Sequence, residues 1–137
     1  MDDSLLSSGS GQDNIHQHLD IQTVLVSPEK VILTVQVGPR VHQPFGILHG
    51  GVSALLAESA ASIGGYVSVA PASIVVGTEL NCSHLRGMAS GTLTATATPL
   101  RKGRTVHVWA VDLTNDEGQL ICVARCTLQV VKAPPSA

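Results

Sequence analysis

Between Arg40 and Glu79 the chain carries one formally charged side chain, Glu58. It lies in an otherwise apolar or small-residue run, residues 50–65. A carboxylate is costly there unless it is paired, hydrogen-bonded or used, and no Lys or Arg is near in sequence. The run reads as a buried helix, so Glu58 is expected to be a lone carboxylate on it. Ser62 falls one turn later on the same face, where its hydroxyl can hold a water against the carboxylate or bond it directly. His49 stands nine residues before Glu58. That spacing would turn it to the opposite helix face, so it is assigned to the preceding loop. Gly50 and Gly51 then open the helix, where backbone N–H groups are free and the dipole end is positive. Glycine lets a ligand oxygen approach that backbone closely. A carboxylate together with such a donor suits attack on a polarised carbonyl. Gln43, in the same loop, offers a further polar contact. Each residue taken singly also has a structural reading: hydrogen-bond hub, loop cap, turn or packing choice. Together they lie within twenty residues and converge on one pocket.

The elements that must position these groups follow from residue patterning. Two β-branched runs, residues 24–26 and 31–37, flank Ser27-Pro28-Glu29-Lys30 and read as a hairpin. Residues 38–48 form a loop with Pro39, Pro44 and Gly46, and residues 50–67 a helix rich in Ala, Leu and Ser. Four strand-like runs follow at residues 73–85, 90–100, 105–115 and 119–131. Arg101-Lys102-Gly103 and Asn115-Asp116-Glu117-Gly118 mark turns between them. Strands flanking one long buried helix make an α+β domain, a curved antiparallel sheet wrapped around the helix.

The chain of 137 residues fits one domain, expected at residues 15–131, with a polar Ser/Gly-rich tail at 1–14 and a second tail at 132–137. The net charge of -2 carries no nucleic-acid footprint. Every apolar run of membrane-spanning length is interrupted by Gly, Ser or Glu, and the start lacks a signal-peptide pattern. Charged residues make up only 13%, which implies apolar surface covered by another subunit. The three cysteines, Cys82, Cys122 and Cys126, have no metal-ligand spacing and fit a reducing compartment. Cys122 and Cys126 fall on one strand face as core thiols.

The segment Gln43-Pro44-Phe45-Gly46-Ile47-Leu48-His49-Gly50-Gly51-Val52-Ser53, with Leu56-Ala57-Glu58-Ser59 and Ser62, resembles the signature of hotdog-fold acyl-CoA thioesterases. The subgroup it is similar to holds glutamate-using 4-hydroxybenzoyl-CoA and 1,4-dihydroxy-2-naphthoyl-CoA thioesterases. The similarity continues through residues 75–86, Pro99, Gly103, Val108-Trp109 and Asp116-Glu117-Gly118, and spans roughly residues 15–131. The second block and Val108-Trp109 lean toward the dihydroxynaphthoyl-CoA enzymes.

The resemblance implies the hotdog fold and definite roles. Glu58 would be the catalytic carboxylate, as nucleophile or as general base on water. The Gly50 N–H would polarise the thioester carbonyl, helped by His49 and Gln43, and Ser62 would place the water or the carboxylate. His84 and Arg86 match the pantetheine and nucleotide side of the site. Arg101, Lys102 and Arg104 form a basic turn suited by charge to the phosphates of CoA. No cofactor or metal is implied. The implied partners are the acyl-CoA substrate and further copies of the chain: dimers pairing into a homotetramer, with Glu58 of one subunit facing Gln43, His49 and Gly50 of the other. The implied setting is cytoplasmic, in menaquinone or phylloquinone biosynthesis, with no nucleic acid or membrane. One departure concerns the acyl pocket. Phe45, Tyr66 and Trp109 are the only aromatics, so aliphatic side chains such as Leu55, Ile63 and Val75 are expected to line it. Broad housekeeping hydrolysis of phenylacetyl-type or medium-chain acyl-CoA, and a non-catalytic acyl-CoA-binding module, are the alternative readings.

Overall fold

Val, Ile, Leu and Thr alternate with outward-facing residues along most strands, so each strand has one face to bury. The computed structural model describes residues 13–135. A short helix α1 (Ile15–His18) precedes β1 (Gln22–Ser27) and β2 (Lys30–Val37). A 3-10 turn (Pro39–Val41) leads to the long helix α2 (Gly50–Val69). Four strands close the chain: β3 (Ser73–His84), β4 (Gly91–Lys102), β5 (Val106–Thr114) and β6 (Leu120–Lys132). They form one six-stranded antiparallel sheet in the order β1-β2-β4-β5-β6-β3. Helix α2 packs against all six strands, so the sheet curves around it, as the hotdog resemblance implies.

Burial alternates along β2, β4, β5 and β6, whose inward residues include Leu33, Leu93, Trp109, Val111 and Leu128. The inner face of α2 is built from Ser53, Leu56, Ala57, Ala60, Ala61, Gly64 and Gly65. Small residues there let the helix sit close to the sheet. A Cβ added at Gly64 would run into the buried Trp109 ring, and one at Gly65 would meet Leu128 and Val75.

The sheet edges differ from this pattern. β3 is an edge strand of twelve residues, none of them fully buried, with a register shift between Gly77 and Glu79. Edge strands with unpaired backbone groups invite pairing with another chain.

Three sequence expectations change. Arg101 and Lys102 were expected in a turn, but β4 runs on through both, pairing them with Val108 and His107 after a shift at Pro99. The segment given to the N-terminal tail reaches into the described residues: Asn14 caps α1 in a capping box with Gln17. Finally, α2 does have the length and composition of a membrane span. Its inner face is buried in a sheet, which accounts for the apolar sequence without a bilayer.

Candidate active site

The site residues are carried by α2 and by the strand and loop beside its first turns. His49 is the N-cap of α2: its backbone is extended, and Nδ1 accepts a hydrogen bond from the Gly51 N–H at 2.8 Å. An accepting Nδ1 puts the proton on Nε2, which is left as a donor. The Val52 N–H bonds the His49 carbonyl at 3.0 Å. The Gly50 N–H, the first of the helix, has no acceptor among the described residues, as helix starts leave it. Gln43 is held in a closed loop. Its N–H bonds the Ile47 carbonyl at 2.8 Å, and its side-chain oxygen accepts from the Phe45 N–H. That leaves the Gln43 amide NH2 as a donor.

Glu58 corrects the expectation of a buried carboxylate. The helix is buried on its inner face only, and Glu58 stands on the outer face, exposed in the single chain. A run apolar on all sides hides which face is covered; its one charge marks the uncovered face. The carboxylate has no hydrogen-bond or ion-pair partner among the described residues. It rests on β3 at Gly77: a Cβ there would lie 2.8 Å from Oε2 and 3.1 Å from Cδ. Glu58 and Ser62, with Gly51, Leu55, Ile63 and Leu80, line a cavity of about 640 Å³. Residues from α1 close its rim, where His16 Nε2 lies 2.9 Å from Ser59 Oγ.

A second cavity, of about 420 Å³, is lined by Gln43, Gly50, Ser53, His84 and Arg86. The His84 ring lies against Gly50, its Cε1 3.0 Å and Nε2 3.1 Å from where a Cβ would stand. Ser53 is 1% exposed, and its Oγ has no hydrogen-bond partner. Thus the residues expected in one pocket fall into two: Glu58 and Ser62 in the first, Gln43, Gly50, His84 and Arg86 in the second, with His49 at the helix start between them. The basic trio lines neither cavity. Arg101 and Lys102 end β4, Arg104 follows in the turn, and Lys102 is bonded to Glu29 at 2.7 Å. Of the expected acyl-lining residues, Leu55 and Ile63 face the first cavity, while Val75 packs on Gly65.

Sequence reasoning missed Gly77, His16, Ser59 and Ser53. An isolated glycine inside a strand signals a bulge or a close approach, and Gly77 is both. The Asn14-to-Gln17 spacing was a readable capping box. Nothing local to Ser53 or Ser59 distinguishes them from other small helix residues.

Thiol chemistry is disfavoured at this site. Burial, followed by the charges of Glu58 and Cys82, pushes Cys126 up to about 12. Burial, followed by the neighbouring Cys82, pushes Cys122 up to about 12 as well. Neither is a thiolate at neutral pH. The arrangement instead offers a carboxylate and amide-type donors, a set suited to acyl transfer.

Residues 45–122 match the family model described as "Thioesterase superfamily". The chain belongs to the thioesterase superfamily. This thioesterase is 42% identical over 118 residues to 1,4-dihydroxy-2-naphthoyl-CoA hydrolase of Listeria monocytogenes, covering 86% of this chain and 96% of that one. It is 35% identical to 1,4-dihydroxy-2-naphthoyl-CoA hydrolase of Escherichia coli, covering 88% and 89%. Among solved structures, a mutant of thioesterase PA1618 from Pseudomonas aeruginosa superposes with a TM-score of 0.88 at 39% identity, covering 97% of this chain and 96% of that one. The hotdog architecture and thioester hydrolysis follow.

Proposed function

We propose that this thioesterase hydrolyses 1,4-dihydroxy-2-naphthoyl-CoA to the free acid and CoA at a site shared by two copies of the chain. The carrying observation is that, among the described residues, the Glu58 carboxylate on the outer face of α2 and the Gly50 N–H at its start both lack a partner. Eight residues separate them, about 12 Å along the axis. A base and an oxyanion donor must each come within about 3 Å of the same reacting group. One glutamate side chain does not span that gap, and this one lies on Gly77. A second copy whose α2 lies alongside brings its own Gly50, His49 and Gln43 to this Glu58. The long exposed β3 edge favours such pairing, with dimers associating further into tetramers.

In that site Glu58 either takes a proton from water as the water attacks, or attacks the thioester carbonyl itself to give an anhydride that water opens. The tetrahedral oxyanion meets the Gly50 N–H, with the His49 Nε2–H and the Gln43 amide beside it. Collapse expels CoA thiolate, which takes up a proton. Ser62, one turn from Glu58, orients the water or the carboxylate. His84 and Arg86, lining the cavity with Gly50, face the pantetheine and nucleotide. Arg101 and Arg104 attract the phosphates, while Lys102 already neutralises Glu29. The names of the two naphthoyl-CoA hydrolase relatives support this acyl group, and with it a cytoplasmic role in menaquinone or phylloquinone biosynthesis.

One observation favours broader specificity: the Glu58 cavity is lined by Leu55, Ile63 and Leu80 and, among the described residues, by no Phe, Tyr or Trp. A panel of acyl-CoAs read by free-thiol release distinguishes the two. Preference for the dihydroxynaphthoyl thioester supports the first reading, and equal rates on phenylacetyl and medium-chain thioesters support the second. Glu58→Ala is expected to lower kcat by about 10³-fold. An unchanged rate in that variant would remove Glu58 from the mechanism.

A further inference from the structure

Cys82, His84 and Cys122 lie far apart in sequence and together in space. Cys82 and His84 are two residues apart on β3 and so share a face; Cys122 on β6 stands directly opposite His84, with Cys82 opposite Ala124. The shared face is the helix side, since Cys122 is fully buried and the His84 ring meets Gly50. One ligand atom from each of the three lies within 4.8 Å of the others. In a tetrahedral zinc site, bonds of about 2.3 Å to sulfur and about 2.0 Å to nitrogen put ligand atoms about 3.5–3.8 Å apart. Small rotations of these side chains close that difference. The His84 ring has no hydrogen-bond partner among the described residues and both cysteines are free thiols, so no disulfide has to be broken.

We propose that Cys82, His84 and Cys122 form a soft-metal site of the zinc class, joined through His84 to the Gln43–Gly50 cavity, and that loading it inhibits hydrolysis. Two thiolates and one imidazole are the donors that Zn²⁺ and Cd²⁺ prefer. Each thiol that binds releases its proton to solvent, and a dication favours the Cys122 thiolate that burial otherwise disfavours. The loaded metal ties down His84, whose ring lies against Gly50 and lines the cavity that the substrate must enter. Metal binding stands on this geometry alone; inhibition rests also on the role proposed for that cavity.

The test titrates reduced, full-length protein with Cd²⁺ and follows the thiolate-to-cadmium charge-transfer absorption. One Cd²⁺ per chain is expected. Cys82→Ser and Cys122→Ala each remove a ligand and are expected to weaken binding by more than the roughly 10–100-fold that loss of an outer-shell partner costs; Cys82 is only half-buried, so its variant guards against misfolding of the other. In parallel, one equivalent of Zn²⁺ is expected to lower wild-type kcat/KM by at least about tenfold, restored by chelator, with Cys82→Ser resistant. Absence of the band, or a band unchanged in both variants, overturns the site. A band with undiminished hydrolysis overturns the inhibition alone. If wild type hydrolyses no thioester tested, the proposed substrate fails while the band still decides the metal site.

Discussion

At the scale of single residues, the proposed chemistry depends on what surrounds Glu58, and the least conspicuous neighbour is Gly77. The carboxylate lies where a side chain at that position would be. Gly77→Ala puts a methyl 2.8 Å from Oε2, and the flexible end of Glu58 must swing away. The backbone there is at an exposed edge, so little stability is at stake. If Glu58 is the proposed catalytic carboxylate, misplacing it by about 1 Å costs up to about 10²-fold in rate. Gly77→Ala is therefore expected to lower kcat by about 10–100-fold with Tm nearly unchanged. Steady-state kinetics beside a thermal melt checks this, and a variant with wild-type kcat would show that the contact positions nothing. His49 joins two roles in one ring, because the Nδ1 that caps the helix sets Nε2 as the donor.

At the scale of elements, α2 works because its inner face is small. Ala57, Ala60, Ala61, Gly64 and Gly65 bring the helix axis close to β5 and β6, with Trp109 filling the space under Gly64. Gly64→Ala gains about 1 kcal/mol of helix propensity but drives a methyl into a rigid, fully buried ring. Overpacking of this kind costs about 1–3 kcal/mol, and a Cβ at residue 64 would overlap the Trp109 ring. The net is destabilising, and Tm is expected to fall by a few degrees. A calorimetric scan with Tm unchanged or raised would mean that helix and sheet separate more easily than this packing implies.

At the scale of the whole molecule, two predictions follow from what one chain lacks and what it buries. If the site is shared, a dimer of Glu58→Ala with Gln43→Ala holds one site with both residues intact. Random remixing of the two inactive proteins then recovers about a quarter of wild-type activity, since half the dimers are mixed and half their sites are whole. No recovery after verified subunit exchange would place the complete site in each chain. The second prediction concerns pH. Burial lowers the pKa of His107, with Lys102 adding to the effect, and burial lowers that of His16. Both rings are kept neutral in the folded chain, while the unfolded chain takes up protons from about 6.5 downward. Their contribution to stability is complete above pH 6.5 and is lost as pH falls from there through the folded values. Tm should therefore drop between pH 7.5 and 5.5, and His16→Gln should lessen the drop. A Tm flat across this range would contradict the burial of the two imidazoles.

What was legible in the sequence is what rests on local pattern. The β-branched and strand-like runs marked the strands, and the Ala/Ser/Leu run marked α2, because each element's residue types record how it must pack. The isolation of Glu58, the two glycines at a helix start and the Gln43 loop were all readable within twenty residues. Tertiary structure decided the rest, for a physical reason: packing across strands joins residues with no sequence relation. Only the fold turned Glu58 outward onto Gly77, divided the expected pocket in two, tied Lys102 to Glu29, and brought Cys122 beside a histidine thirty-eight residues earlier.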